Sequence, residues 1–399
     1  MTKILKLSLA TAMALGTALS ADNEVVTLKG MFDDAKVSGN IRSIYSSYSN
    51  DNDTDTDATA IGLQLKYELA KYNGFNAGVN FTATQDIDFL SGDKEQDKRN
   101  DELSGTDKSY TDLTEAYINY EINGLNLRIG RQVVDTPLAD SDDIRMVPNT
   151  FEAYMATYEI DSFSIVAGHL NRWQGADAGL DDGWVKTGKD GVNLAGVTFS
   201  NDDFEVNGWY YNISGEEGNN AIYLDASTSM SVSEGVDLSF AVQYLKESEQ
   251  DGSNVEANIY GAMAEASVNS FGFALAYNKS SKQDGKHSFS GYGGGTLFTN
   301  MDTIIIDEIT EDRDVDAIVA SLSYEIGDVS LSYAYGDFNG DADGSGTKAH
   351  IVEQDIGVEY APSEDILLSA VYIIDDNKED ATSTDFNSKN FRVLASYNF

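Results

Sequence analysis

The residues capable of chemistry are few, and most are spaced in ways that chemistry cannot use. Ser164 and His169 are near enough in sequence to suggest a nucleophile and its base. On an alternating strand, however, they have opposite parity and point to opposite faces, so the hydrogen bond that activates a serine cannot form. His169, His287 and His350 share no metal-ligand spacing. Cys is 0, which removes thiolate nucleophiles, thiolate metal sites and disulfides together. Asp51, Asp53, Asp55 and Asp57 are spaced like the start of a calcium loop, but Thr56 stands where such a loop needs Gly and Gly62 where it needs a bidentate Glu. The preferred reading is a solvated acidic loop tip, with a loosely held Ca2+ at Asp51, Asp53 and Asp55 as the alternative. Gly291-Tyr292-Gly293-Gly294-Gly295 lacks the Lys-Ser/Thr that completes a phosphate loop. No catalytic constellation, cofactor site or transition-metal site is expected, and the chain does not read as an enzyme.

What remains is a set of charged and amide side chains at alternating positions. Ile61, Leu63, Leu65, Tyr67 and Leu69 share one strand face, leaving Gln64, Lys66 and Glu68 on the other. By the same parity Glu115, Glu121, Arg128, Gln132 and Arg392 lie opposite apolar faces, and Arg42 lies opposite Val37, Gly39 and Ile41. Such side chains could line an aqueous pore and select solutes by charge; the plainer reading of each is a solvated polar face. The alternation recurs as Phe75, Ala77, Val79, Phe81; as Leu125, Leu127, Ile129; as Val236, Leu238, Phe240, Val242, Tyr244; and through to Phe391, Val393, Ala395, Tyr397, Phe399. Several sets end in Tyr or Phe, as an aromatic membrane girdle requires.

Lys3 and Lys6 followed by a mostly apolar stretch and Ala18-Leu19-Ser20 predict a cleaved export signal over residues 1–20, with residues 21–399 forming a single domain. Beyond it no apolar run approaches the ~20 residues of a membrane helix, and mean hydropathy is −0.33. A membrane barrel gives the same average, because lipid-facing and lumen-facing side chains alternate. The net charge of −41 makes nucleic acid a poor partner and would concentrate cations at any pore.

Tight turns at Lys71-Tyr72-Asn73-Gly74, Asn123-Gly124, Asp161-Ser162, Asn269-Ser270 and Gly327-Asp328 alternate with long polar stretches near 86–111, 135–149, 171–190, 281–314 and 339–350. Short turns at one end and long loops at the other predict an all-β, antiparallel up-and-down transmembrane barrel of about 18 strands. Sixteen is the alternative count, because segments near Ala153, Gly196 and Ala221 show no preference of face. A soluble surface-layer or adhesin β-sandwich would also alternate, but predicts neither the loop asymmetry nor the ending Tyr397-Asn398-Phe399, which looks like the signal read by the barrel-insertion machinery.

The stretches Leu127-Arg128-Ile129-Gly130-Arg131-Gln132, Thr136-Pro137 and Asp142 to Ala153 resemble the Opr-type outer-membrane porins, especially the major porins of epsilonproteobacteria. Ala167-Gly168-His169, Asn171 to Gly175, Trp209 to Asn212, Tyr260-Gly261 and Gly293-Gly294-Gly295 before Phe298-Thr299 extend the resemblance. It implies an 18-stranded barrel in outer-membrane lipid, often a homotrimer, passing small hydrophilic solutes passively, with the third long loop folded inward. By position that loop is residues 134–150, offering Asp140, Asp142, Asp143 and Arg145 to the constriction. The substrate-specific branch of the family uses a ladder of arginines. This chain is acidic and poor in arginine, so a general, cation-preferring pore is expected, with selective uptake of amino acids or carboxylates as the alternative.

Overall fold

The computed structural model describes residues 24–50, 55–92, 98–289, 291–379 and 387–399. The export signal and Asp51 and Asp53 of the acidic tip lie outside those residues. After a short helix α1 (Leu28–Asp33), the chain runs through β1 (Lys36–Asn50), β2 (Thr56–Glu68), β3 (Phe75–Asp86), β4 (Ser109–Ile122), β5 (Leu125–Gln132), β6 (Thr150–Ile160) and β7 (Phe163–Gln174). A two-residue strand β8 (Val185–Lys186) precedes β9 (Val192–Ser200), β10 (Phe204–Ile213), β11 (Asn219–Ser233), β12 (Val236–Glu249), β13 (Ala257–Val268) and β14 (Phe271–Ser280). Then follow β15 (Val315–Ile326), β16 (Val329–Gly340), β17 (Ala349–Ser363), β18 (Ile366–Asn377) and β19 (Ser388–Asn398).

Each spanning strand pairs antiparallel with its sequence neighbours, β8 being an addition beside β7, and β1 pairs with both β2 and β19. The result is a closed 18-stranded barrel without an open edge. The register that seals it runs from Asn40 opposite Asn398 to Asn50 opposite Ser388. Phe399 and Gly39 exchange two backbone hydrogen bonds of 3.0 Å, placing Tyr397 and Phe399 on the outer face of the seam.

Local chemistry explains the turns. Asn73-Gly74 and Asn123-Gly124 carry φ values of +50°, +79°, +48° and +83°, the left-handed pair that a two-residue hairpin turn needs and that Asn and Gly tolerate. The opposite end carries the long connections, here named L2 (87–108), L3 (133–149), L4 (175–191) and L7 (281–314). Thr150 already belongs to β6, so L3 closes one residue earlier than its sequence boundary. Two connections at that end, 214–218 and 250–256, are short, so the alternation of loop lengths is not uniform around the barrel.

Apolar packing also lies inside the barrel. One cluster joins L3 (Val134, Leu138, Ala139) and L7 (Tyr292, Leu297, Met301, Ile304, Ile306, Ile309) to inward residues of β7 through β17, among them Leu194, Tyr211, Tyr223, Ile259 and Phe338. A smaller one packs Leu103 of L2 and Met146 and Val147 of L3 on Ile44, Ala58, Ala60 and Leu394 of the wall. Folded-in chain from L2, L3 and L7 therefore packs against the inner wall at the long-loop end.

Candidate functional site

L3 is drawn against the β1 wall by charge. Arg42, 3% exposed on the inner face of β1, forks onto Asp143 at 2.6 and 3.1 Å and also donates to the carbonyl of Arg145. Arg145 turns the other way, donating to Glu102 of L2 at 2.9 Å and Asp177 of L4 at 2.7 Å, with Asp142 at 3.5 Å. Asn149 adds a 2.6 Å bond to the second oxygen of Asp177. Burial, and then the neighbouring Asp177 carboxylate, push Asp142 up to about 7. Asp140 accepts the Asp142 N–H at 2.7 Å and so shapes the loop from within. Of the four charges assigned to this loop from the sequence, Asp143 anchors it to the wall, while Arg145 and Asp142 tie three loops together. The cleft between those loops, about 470 Å³, is lined by Asp101, Glu102, Asp177, Asp181 and Asp182 around Arg145.

L7 enters from the opposite side, and the sequence reading missed this by treating 281–314 as a surface loop. Its backbone is received by inward side chains of several strands. Gln243 and Glu247 of β12 accept the N–H groups of Phe298 at 2.7 Å and Phe289 at 3.0 Å. Asn278 of β14 accepts from Thr299, and Glu353 of β17 accepts from Thr303 at 3.0 Å and Ile304 at 2.6 Å. Arg392 of β19 pairs with Asp302 at 2.6 Å, both side chains being nearly buried. L3 and L7 then meet: the N–H of Asp140 donates to Tyr292 and that of Tyr292 to Leu138, at 2.9 and 3.1 Å. At the join Gly293 has φ +100°, and a Cβ there would stand 2.3 Å from the Asp140 carbonyl, so only glycine fits. The signal available in the sequence was Thr303-Ile304-Ile305-Ile306, an apolar run that a solvated loop does not want.

Nearer the tight turns the two walls of the lumen differ in side-chain size and charge. On the β2–β5 side Lys66 pairs with Glu115 at 3.0 Å, and Tyr117 donates to Glu68 at 2.6 Å. Arg128 and Lys66 lie 4.4 and 5.6 Å from the Tyr117 ring centroid. The structure thus gathers four of the wall residues around Tyr117, which the sequence reading passed over although it shares the parity of Glu115 and Asn119. Glu121 pairs with Lys71 near the tight turns (2.8 Å), Gln132 is held by backbone carbonyls, and Gln64 is buried between Asn40 and Thr82 of the flanking strands. The facing wall, β12 to β16, presents Ser239, Ala274, Ser321, Ser323, Ser332 and Ala334, small side chains that leave room.

Other candidates stay apart. Ser164 donates to Glu159, and His169 bonds Asn193, so neither engages the other. Among the described residues no cluster of His, Asp and Glu has metal-binding geometry, and Asp55 is the one member of the acidic tip's proposed set that is described.

Solved structures with the same architecture include OccAB2 of Acinetobacter baumannii, with TM-score 0.78 and 16% identity over 93% of this chain and 99% of that one. OpdK of Pseudomonas aeruginosa, determined with vanillate, gives 0.76 and 16% over 93% and 100%. OccAB1 of Acinetobacter baumannii gives 0.77 and 13% over 96% and 99%. At such identities the likeness is one of fold. No curated protein sequence matches. The family model for outer membrane porins of the OprD family matches residues 29–312, most of the chain. A sealed barrel with apolar outer face and narrowed polar lumen is what that match requires, and the chain belongs to the OprD family of outer-membrane porins.

Proposed function

We propose that this porin is a cation-preferring channel for passive diffusion of ions and small hydrophilic solutes. Family and fold point to a channel in the Gram-negative outer membrane, and the long loops are taken as its extracellular end. The observation that carries the cation preference is the cleft between L2, L3 and L4, lined by five carboxylates and the one guanidinium of Arg145. Low-dielectric walls focus such a field into the opening. The contact pairs Arg42–Asp143 and Arg392–Asp302 largely neutralise each other and serve to hold L3 and L7 against the wall.

The competing reading is a channel for aromatic or aliphatic carboxylates, suggested by the OpdK structure with vanillate. It needs inward cations free to receive an anion, whereas Arg42, Arg145 and Arg392 each already face a carboxylate. We also propose that Tyr397 and Phe399 address the insertion machinery and that three copies assemble.

Purified protein inserted into planar bilayers across a KCl gradient provides the test. Stepwise openings with a reversal potential on the cation side are expected, and Arg145→Glu should shift it further. An anion-side potential would overturn the proposal, and an unchanged one in Arg145→Glu would remove this loop from selectivity.

A further inference from the structure

The outer face of the barrel carries a second pattern. Towards the long-loop end, outward tyrosines reach polar partners one strand away: Tyr210 to Asn220 at 2.7 Å, Tyr244 to Asn258 at 3.1 Å and Tyr260 with Ser281 at 2.9 Å. This ring marks where lipid tails give way to headgroups. In one sector the ring becomes ionic. The register places Arg131 of β5 opposite Glu152 of β6, Glu152 opposite Arg172 of β7, and Arg172 opposite Lys186 of β8. Four adjacent strands thus hold one row with three cations and one carboxylate, in a chain whose net charge is −41.

The row faces outward. Ile129 and Tyr154, two residues below Arg131 and Glu152 on the same strand faces, are each 54% exposed on the lipid side. Trp184 of L4 lies along it, with the Arg131 guanidinium 4.4 Å from its ring and its indole N–H on Asp112 at 3.1 Å. Glu152 is occupied by Asn171 at 2.6 Å and by one amine of Arg172. The Nε of Arg172 is buried, but the side chain as a whole stays 39% exposed; Arg131, 30% exposed, donates to the Leu113 carbonyl at 3.0 Å and lies 3.8 Å from Asp112, and Lys186 is exposed. Three cationic side chains, all at least partly exposed, thus stand against Glu152 and Asp112 on the outer face beside an interfacial tryptophan.

We propose that this row binds the phosphate of an outer-leaflet lipid headgroup. A phosphate offers several acceptor oxygens to the Arg172 and Arg131 forks and the Lys186 ammonium, while the acyl chains run down over Ile129 and Tyr154. The site is independent of the pore.

Native mass spectrometry of the full-length protein in detergent with diphosphoryl lipid A tests it, alongside the same lipid stripped of its phosphates. The wild type should retain the phosphorylated lipid and not the stripped one. The triple variant R131Q/R172Q/K186Q, its folding checked by heat-modifiable gel mobility and its conductance unchanged, should bind on the order of a hundredfold more weakly. Equal retention of both lipids, or full retention by the variant, would overturn the proposal. Displacement by inorganic phosphate alone would make it a free-anion site and overturn the lipid assignment; retention under that competition supports the headgroup.

Discussion

L3 and L7 meet inside the same barrel and both bury apolar side chains there, but the balance of forces that holds them differs. L3 is fastened at its tip by ion pairs, Arg42 to Asp143 and Arg145 to Glu102 and Asp177, whose carboxylates keep part of their exposure to water. Such pairs contribute modestly and weaken as salt screens them. L7 buries Leu297, Met301, Ile304, Ile306 and Ile309 against the wall and satisfies its backbone on Gln243, Asn278 and Glu353. Its hold is the hydrophobic effect plus buried acceptors that are costly to leave unpaired. Under the proposed function, L7 would set how much of the lumen is left, and the L2–L3–L4 network which charges cross the remainder.

The largest effect should come from breaking the apolar anchor. Ile304→Asp puts an unpaired carboxylate into a fully buried site, at a cost of several kcal/mol, and should release L7. Single-channel conductance should then rise severalfold; an unchanged value would show that L7 does not throttle the pore. Arg42→Gln acts on the other loop. Losing charged hydrogen bonds of about 2 kcal/mol and freeing Asp143 should loosen L3 and move the reversal potential towards cations, with a smaller conductance change.

A pH series separates the loops further. Burial pushes Asp307 of L7 up from 3.8 to about 7. The proton it keeps stabilises the folded loop fully below pH 3.8, and that stabilisation is lost as pH rises through about 7. Around it stand Glu308 on the same turn, Ser288, and Glu247 of β12, which accepts the Ser288 hydroxyl. Limited proteolysis within 290–310 should be slower at pH 5 than at pH 8, and Asp307→Asn should flatten the difference; a flat wild-type profile would remove Asp307 from L7 docking. The smallest effect belongs to the Tyr117 cluster on the wall. Tyr117→Phe costs Glu68 one hydrogen bond, about 1 kcal/mol by thermal unfolding, and should leave conductance nearly unchanged.

How much of this could be read beforehand follows from which faces are apolar. Strands such as β2 and β12 present lipid on one side and water or small residues on the other, so their period of two stands out in the sequence. The segments at Ala153, Gly196 and Ala221 did not, and the interior cluster explains why. Their strands carry Phe151, Leu194, Tyr211 and Tyr223, or neighbours of these, on the inner face against L3 and L7, so both faces are apolar and the contrast vanishes. Tight Asn-Gly turns were legible because backbone conformation alone demands them. The docking of L7 was not, because Gln243, Asn278 and Glu353 look like any other polar wall positions until the loop that uses them is in place. Arg42 and Arg392 were legible as inward charges, but their partners Asp143 and Asp302 lie far away in the chain.

The seam between β1 and β19 bears on how the molecule comes into being. Every other strand of the barrel finds a partner among its immediate sequence neighbours, so pairing can spread locally and quickly. The seam joins opposite ends of the chain, with Phe399 itself bonded to Gly39, and cannot form until all intervening hairpins exist. Until then two strand edges remain open to any passing β-strand, including those of other copies, so the nascent protein is most prone to aggregate just before its last step.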